Sequence, residues 1–165
     1  MNQDAIVELF YNMKGDLDKI NKYIDSKLQS HRTRKISTLE MFVQRRLSAN
    51  PLVLELVNME INPLEASYLS MYPDLESLEV LDLRQNLLGD EGLAAIAQST
   101  VLKNLKTLDV RNNQITRKGV EILSKSSTLT NLENVDLRSN KLGRRWEEKL
   151  KEVGNFPNLK VVKTL

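Results

Sequence analysis

Four stretches of this chain superimpose at one interval: LEVLDLRQNLL from Leu78, LKTLDVRNNQI from Leu105, LENVDLRSNKL from Leu132 and LKVVKTL from Leu159, each 27 residues after the last. No insertion disturbs the spacing. A strict period forces every unit into one local structure, and it forces each unit to bury its apolar residues against its neighbours, because a single unit cannot cover them alone. Stepping back by the same interval brings PLVLELVNMEI into register, with Leu54, Leu56 and Ile61 matching Leu81, Leu83 and Leu88. That earlier unit is degenerate, with Pro51 where the others have Leu and Met59 where they have Asn.

The chemistry inside one unit follows from the side-chain period. In a strand, alternate residues face opposite sides, so Leu81 and Leu83 point inward while Asp82 points out. The second halves, DEGLAAIAQS, TRKGVEILSKS and RRWEEKLKEV, read as helices. Asn86, Asn113 and Asn140 fall at the turn leaving each strand, where an Asn side chain can satisfy the backbone groups of a bend. Gly92 and Gly119 sit in the first turn of their helices, a place suited to close packing, and Trp146 takes that place in the next unit.

These residues resemble the leucine-rich repeat, L-x-x-L-x-L-x-x-N-x-L, and the 27-residue length with helical second halves is similar to its ribonuclease-inhibitor-like class. The resemblance covers residues 51–165. It implies an α/β fold: a short solenoid with parallel strands on the concave face, helices on the convex face and an N-terminal helical cap. The units are 51–77 (degenerate), 78–104, 105–131 and 132–158, closed by a strand over 159–165.

Residues 1–50 carry no repeat. Ile6, Phe10, Met13, Leu17, Ile20, Ile24 and Leu28 recur at three- and four-residue steps, which predicts an amphipathic helix over about 4–30. Ser37-x-x-Glu40 reads as a capping box, with Ile36 and Met41 as a hydrophobic staple, opening a second helix over 37–49 that Asn50-Pro51 stops. The helices are expected to cover the exposed core of the first repeat. A coiled-coil seam along the first helix is the alternative. At the other end, no helix follows the last strand, so Lys160 and Lys163 guard an open edge or that edge associates with a second copy.

Outward positions line up in columns. One reads Glu55, Asp82, Asp109, Asp136, Lys163; the next reads Val57, Arg84, Arg111, Arg138; beside it run Asn58, Gln85, Asn112, Ser139, and on the other flank Val53, Val80, Thr107, Asn134, Val161. The acidic column stacks like charges, a cost the arginines offset. Either the stripes recognise a charge-patterned protein surface, or Asp and Arg are ordinary scaffold usage for such repeats.

Other chemistries lack residues. There is no cysteine, hence no thiolate metal site, thiol nucleophile or disulfide. The aspartate column diverges, whereas calcium needs converging oxygens. His31, the single histidine, has no acid or nucleophile partner in its basic surroundings. Phosphate-binding and nucleophile-elbow motifs are absent. Basic groups occur at Arg32, Arg34, Lys35, Arg45 and Arg46, and at Lys141, Arg144 and Arg145, but a net charge of +2 and 5% aromatic residues speak against nucleic acid as the partner. No run is apolar enough to span a membrane.

The sequence therefore predicts a non-enzymatic, cytoplasmic module without cofactor or metal that binds a partner protein of unknown identity. Its predicted contact residues are Asp82, Arg84, Gln85, Asp109, Arg111, Asn112, Asp136, Arg138 and Trp146, the last of which either anchors a contact or packs under the C-terminal edge. Reversing Arg111 to Glu is expected to abolish capture at nearly unchanged melting temperature. Regulation of a small GTPase is the alternative implied by similarity to repeats in Ran GTPase-activating proteins. Self-assembly, weak or architectural, through the first helix or the terminal edge is the third.

Overall fold

The computed structural model describes residues 34–140, 142–143 and 145–164. The helix expected over 4–30, together with His31, Arg32, Lys141 and Arg144, lies outside the described residues.

Among the described residues, five three-residue strands form one parallel sheet in sequence order: β1 (Val53–Glu55), β2 (Val80–Asp82), β3 (Thr107–Asp109), β4 (Asn134–Asp136) and β5 (Val161–Lys163). The register follows the repeat, pairing Leu54 with Leu81, Leu81 with Leu108, Leu108 with Val135 and Val135 with Val162. Between strands lie α2 (Pro63–Leu69), followed by a 3-10 turn at Pro73–Leu75, then α3 (Gly89–Ala97), α4 (Arg117–Ser124) and α5 (Arg145–Val153). Right-handed crossover connections of this kind put every helix on one side of a parallel sheet. Helices pack about 8–10 Å apart and strands about 4.8 Å, so the stack bends with its strands on the inside.

The core runs the length of the stack. Leu54, Leu56, Leu81, Leu83, Leu108, Val110, Val135, Leu137 and Val162 are all buried, joined from the helix side by Leu69, Leu93, Ile96, Val120, Leu123 and Leu150. Before β1, α1 (Ile36–Ala49) buries Ile36, Leu39, Val43 and Leu47 in the same cluster and so covers the apolar side of the first repeat. Its start departs from expectation. The N-cap is Lys35, without a side-chain cap, and Met41 is 58% exposed, so the Ser37–Glu40 box and the Ile36–Met41 staple do not form. Burying Ile36 pulls the helix one residue earlier, which leaves Ser37 inside the first turn and exposed.

A capping box does form on α2. Asn62 accepts from the backbone N–H groups of Leu64 and Glu65, both at 3.0 Å, while Glu65 Oε2 accepts from the Asn62 N–H at 3.0 Å. Pro63 stands at N1, where its missing N–H costs nothing.

The three repeat asparagines do more than finish their own bends. Asn86 Nδ2 donates to Leu83 O of its own unit at 2.8 Å and to Leu56 O of the preceding one at 2.7 Å; its Oδ1 accepts from Met59 and Ile61 N–H at 2.9 and 3.0 Å. Asn140 repeats this set on Val110, Leu137, Asn113 and Ile115. Asn113, wholly buried, donates to Leu83 O and accepts from Leu88 N–H. The ladder thus stitches neighbouring turns together. A second ladder runs along the opposite ends of the strands, where Asn104, Asn131 and Asn158 donate to Glu76 O, Lys103 O and Thr130 O.

The glycines in the first turns of α3 and α4 are held by proximity. A Cβ on Gly119 would stand 2.5 Å from Asp90 Oδ1, an oxygen already accepting from Thr116 N–H at 2.7 Å. One on Gly92 would stand 3.3 Å from Ala66 Cβ and 3.1 Å from Leu88 Cβ.

The terminal edge is closed by an acid. The N–H groups of Leu56, Leu83, Val110 and Leu137 each donate to a carbonyl of the next strand, at 2.7 to 2.9 Å. Thr164 occupies that place on β5, and its N–H donates instead to Glu147 Oε1 at 2.8 Å, with its hydroxyl on the same oxygen at 3.1 Å. The earlier units carry Ala66, Leu93 and Val120 where Glu147 stands, all buried and apolar. The expected guard role of Lys160 is taken up differently, because its ammonium pairs with Glu133 at 2.7 Å.

Candidate functional site

The strand register delivers the acidic column as one row, Glu55, Asp82, Asp109, Asp136 and Lys163 being direct lateral neighbours. Each aspartate also turns the chain after itself. Its Oδ1 accepts the N–H of the arginine two residues on, at 3.1 to 3.2 Å in Asp82, Asp109 and Asp136. That contact brings each guanidinium back over its own carboxylate.

The pairing is uneven along the row. Arg111 grips Asp109 with Nε at 3.0 Å from both oxygens and one terminal nitrogen at 2.6 Å from Oδ2. Arg138 holds Asp136 in the same way, at 3.0, 3.1 and 2.7 Å. Arg111 Nε also lies 3.6 Å from Asp136 Oδ2, which links the two strands. Arg84 makes only a single 3.2 Å contact with Asp82 and leaves 41% of its side chain exposed. Gln85, Asn112 and Ser139 are exposed at left-handed backbone positions, φ 59°, 51° and 60°, where the chain leaves the strand.

This pattern overturns the expectation for Arg111. Its guanidinium neutralises Asp109 and touches Asp136, so a glutamate there would join a row of acids with no counter-charge, and the melting temperature would fall along with any binding. Trp146 fits the packing role rather than the contact role. It is 8% exposed within the core cluster on the helix side, with the Lys149 ammonium 4.4 Å from its ring centre. Its indole is committed to packing and does not join the strand face.

Two aspartates of the same row titrate in opposite directions. Burial pushes the Asp82 carboxyl up, helped by the negative charges of Asp109 and Glu55 and opposed by the Arg84 N–H and guanidinium. Burial also acts on Asp136, but hydrogen bonds from the Arg138 side chain and backbone and the charges of Arg138 and Arg111 outweigh it and hold the carboxyl below its ordinary value. The linkage signs follow. A raised folded pKa means that Asp82's contribution is present below its ordinary value of 3.8 and is lost as pH rises through the folded value. A lowered one means that Asp136 contributes above 3.8 and loses that contribution as pH falls through its folded value. Asp82→Asn is therefore expected to raise the urea midpoint at pH 7 and Asp136→Asn to lower it. Equal shifts of one sign would contradict this reading.

Among the described residues there is no group of histidine and carboxylate side chains placed to hold a metal ion. An opening of about 640 Å³ lies beside the face, lined by Asn112, Gln114, Ile115, Thr116, Arg117, Ser139 and Asn140. None of these supplies an acid–base or nucleophile pair.

A stack of strand–helix units with one ordered, solvent-facing row of charges defines a repeat scaffold. The profile of the Leucine Rich repeat family matches residues 75–97 and 101–124, and the flanking units continue its motif in register. These two segments are leucine-rich repeats, and repeats of this kind generally mediate protein–protein interaction. No curated protein matches the chain. Among the described residues no helix is long and apolar enough to cross a membrane.

Proposed function

We infer that this protein is a non-enzymatic interaction module that holds a partner protein on its strand face, with residues 1–50 serving as the cap of the array. The observation that carries this reading is the Asp109–Arg111 and Asp136–Arg138 ladder. Its side chains are fixed in bidentate pairs on the inside of the bend, yet the arginines remain 29% and 38% exposed. Fixed polar groups bind at low entropic cost, because they need no ordering when the partner arrives. Beside them Arg84, Gln85 and Asn112 keep free hydrogen-bonding capacity.

The test uses variants that spare the ladder. Arg84→Gln with Asn112→Glu changes two exposed side chains of the face; Gln85 already shows that a longer side chain fits this backbone conformation. Arg117→Glu with Lys118→Glu alters the exposed helix side instead. Tagged protein is used to capture partners from an extract of the native cell. The expected result is one set of proteins retained by wild type and by the helix-side variant and lost from the face variant. Retention by the face variant, or loss from the helix-side variant, would overturn the assignment.

A further inference from the structure

Along the row on the strand face, only the two ends carry unspent charge. Asp82, Asp109 and Asp136 each have an arginine two residues on, but on β1 the arginine column holds Val57, and the exposed Glu55 carboxylate has no ion-pair partner among the described residues. On β5 the row ends in Lys163, exposed and likewise unpaired. The register places these two charges four strand spacings apart, about 19 Å, with a neutralised ladder between them. The face is therefore dipolar along the stack, negative at β1 and positive at β5.

We propose that the partner presents an α-helix lying across the strands, with a Lys or Arg seated over Glu55 and an Asp or Glu seated over Lys163. This rests on the strand-face reading above. The outward positions from residue 53 to residue 57 span about 13 Å along the strand, a floor matched to a helix about 10–12 Å wide. The 19 Å between the charges is the rise of about 13 helical residues. Acids stabilise helix N-termini and bases stabilise C-termini, so the favoured helix runs from β5 toward β1 with its own charges already in the required order. The neutral middle adds no net charge to attract or repel. Specificity then comes from the two ends, because a helix of opposite polarity meets like charge at both.

The probe is a displayed library of single helices of fixed polarity, about 15 residues long and randomised on one face. It is selected against the wild-type protein and against Glu55→Lys/Lys163→Glu, whose substitutions remove no ion pair. Wild type is expected to enrich an acid near the helix N-terminus and a base near the C-terminus, and the swapped protein the reverse. Each set should bind its own target about tenfold tighter than the other, in line with two exposed ion pairs exchanged for like-charge contacts. Binders lost on the Arg84→Gln/Asn112→Glu protein but showing the same charge order on both targets would overturn the dipolar partner and leave the face reading standing. Binders indifferent to that face variant would count against both.

Discussion

Asn86→Ala is expected to lower the unfolding free energy by about 4 kcal/mol, because it strips partners from two N–H groups and weakens the bonding of two carbonyls inside the stack, at about 1–3 kcal/mol for each group left unsatisfied. The groups are Met59 and Ile61 N–H and Leu56 and Leu83 O. For a domain of this size the melting temperature should fall by about 8–16 °C. Lys118→Ala, exposed on α4, should shift stability by less than about 0.5 kcal/mol. The loss should also couple to Asn113→Ala, because Asn113 Nδ2 donates to the same Leu83 oxygen at 2.8 Å. A drop no larger than that of Lys118→Ala in urea unfolding would mean that the ladder does not hold the turns together.

Arg34→Ala is expected to cost about 3–4 kcal/mol, because it leaves a buried carboxylate without its counter-charge. Glu65 is 1% exposed, and Arg34 reaches it with Nε at 2.9 Å and a terminal nitrogen at 2.7 Å. The same carboxylate caps α2, so one group ties the chain ahead of α1 to the first helix of the array. Glu65→Gln added to Arg34→Ala should recover part of the loss, since the amide oxygen still accepts the Asn62 N–H while the buried charge is gone. If the single substitution proves as mild as a surface change, the pair is dispensable.

The period of 27 made the register of all five strands legible, because one interval maps each core leucine onto the next and a pleated strand leaves no freedom about which residue faces out. The composition of the charged row was legible for the same reason. Its pairing was not. Bidentate closure of Arg111 on Asp109 depends on the bend after the strand, where the aspartate accepts the arginine's own N–H. The second ladder was open to the same self-comparison, since Asn104, Asn131 and Asn158 stand 27 apart, each just before the leucine that begins a unit. Asn62 and Glu65 carried a capping signal that the degeneracy of the first repeat obscured. Contacts that break the period have no such signature. Arg34 meets Glu65 across 31 positions, and Glu147 closes the edge at Thr164 in the one unit where its place is not apolar.

The edge contact also reshapes the expectation of self-association. With the Thr164 N–H already donating to Glu147, a second copy adding a strand to β5 would have to displace that carboxylate.

The most direct measurement places a photo-crosslinking benzophenone residue at Asn112 on the strand face or at Lys118 on α4, each exposed, and irradiates the protein in an extract of the native cell. The strand-face reading predicts a discrete covalent adduct with a protein from position 112 and none of that mass from position 118. An adduct formed from 118 alone would place the partner on the helices and contradict it.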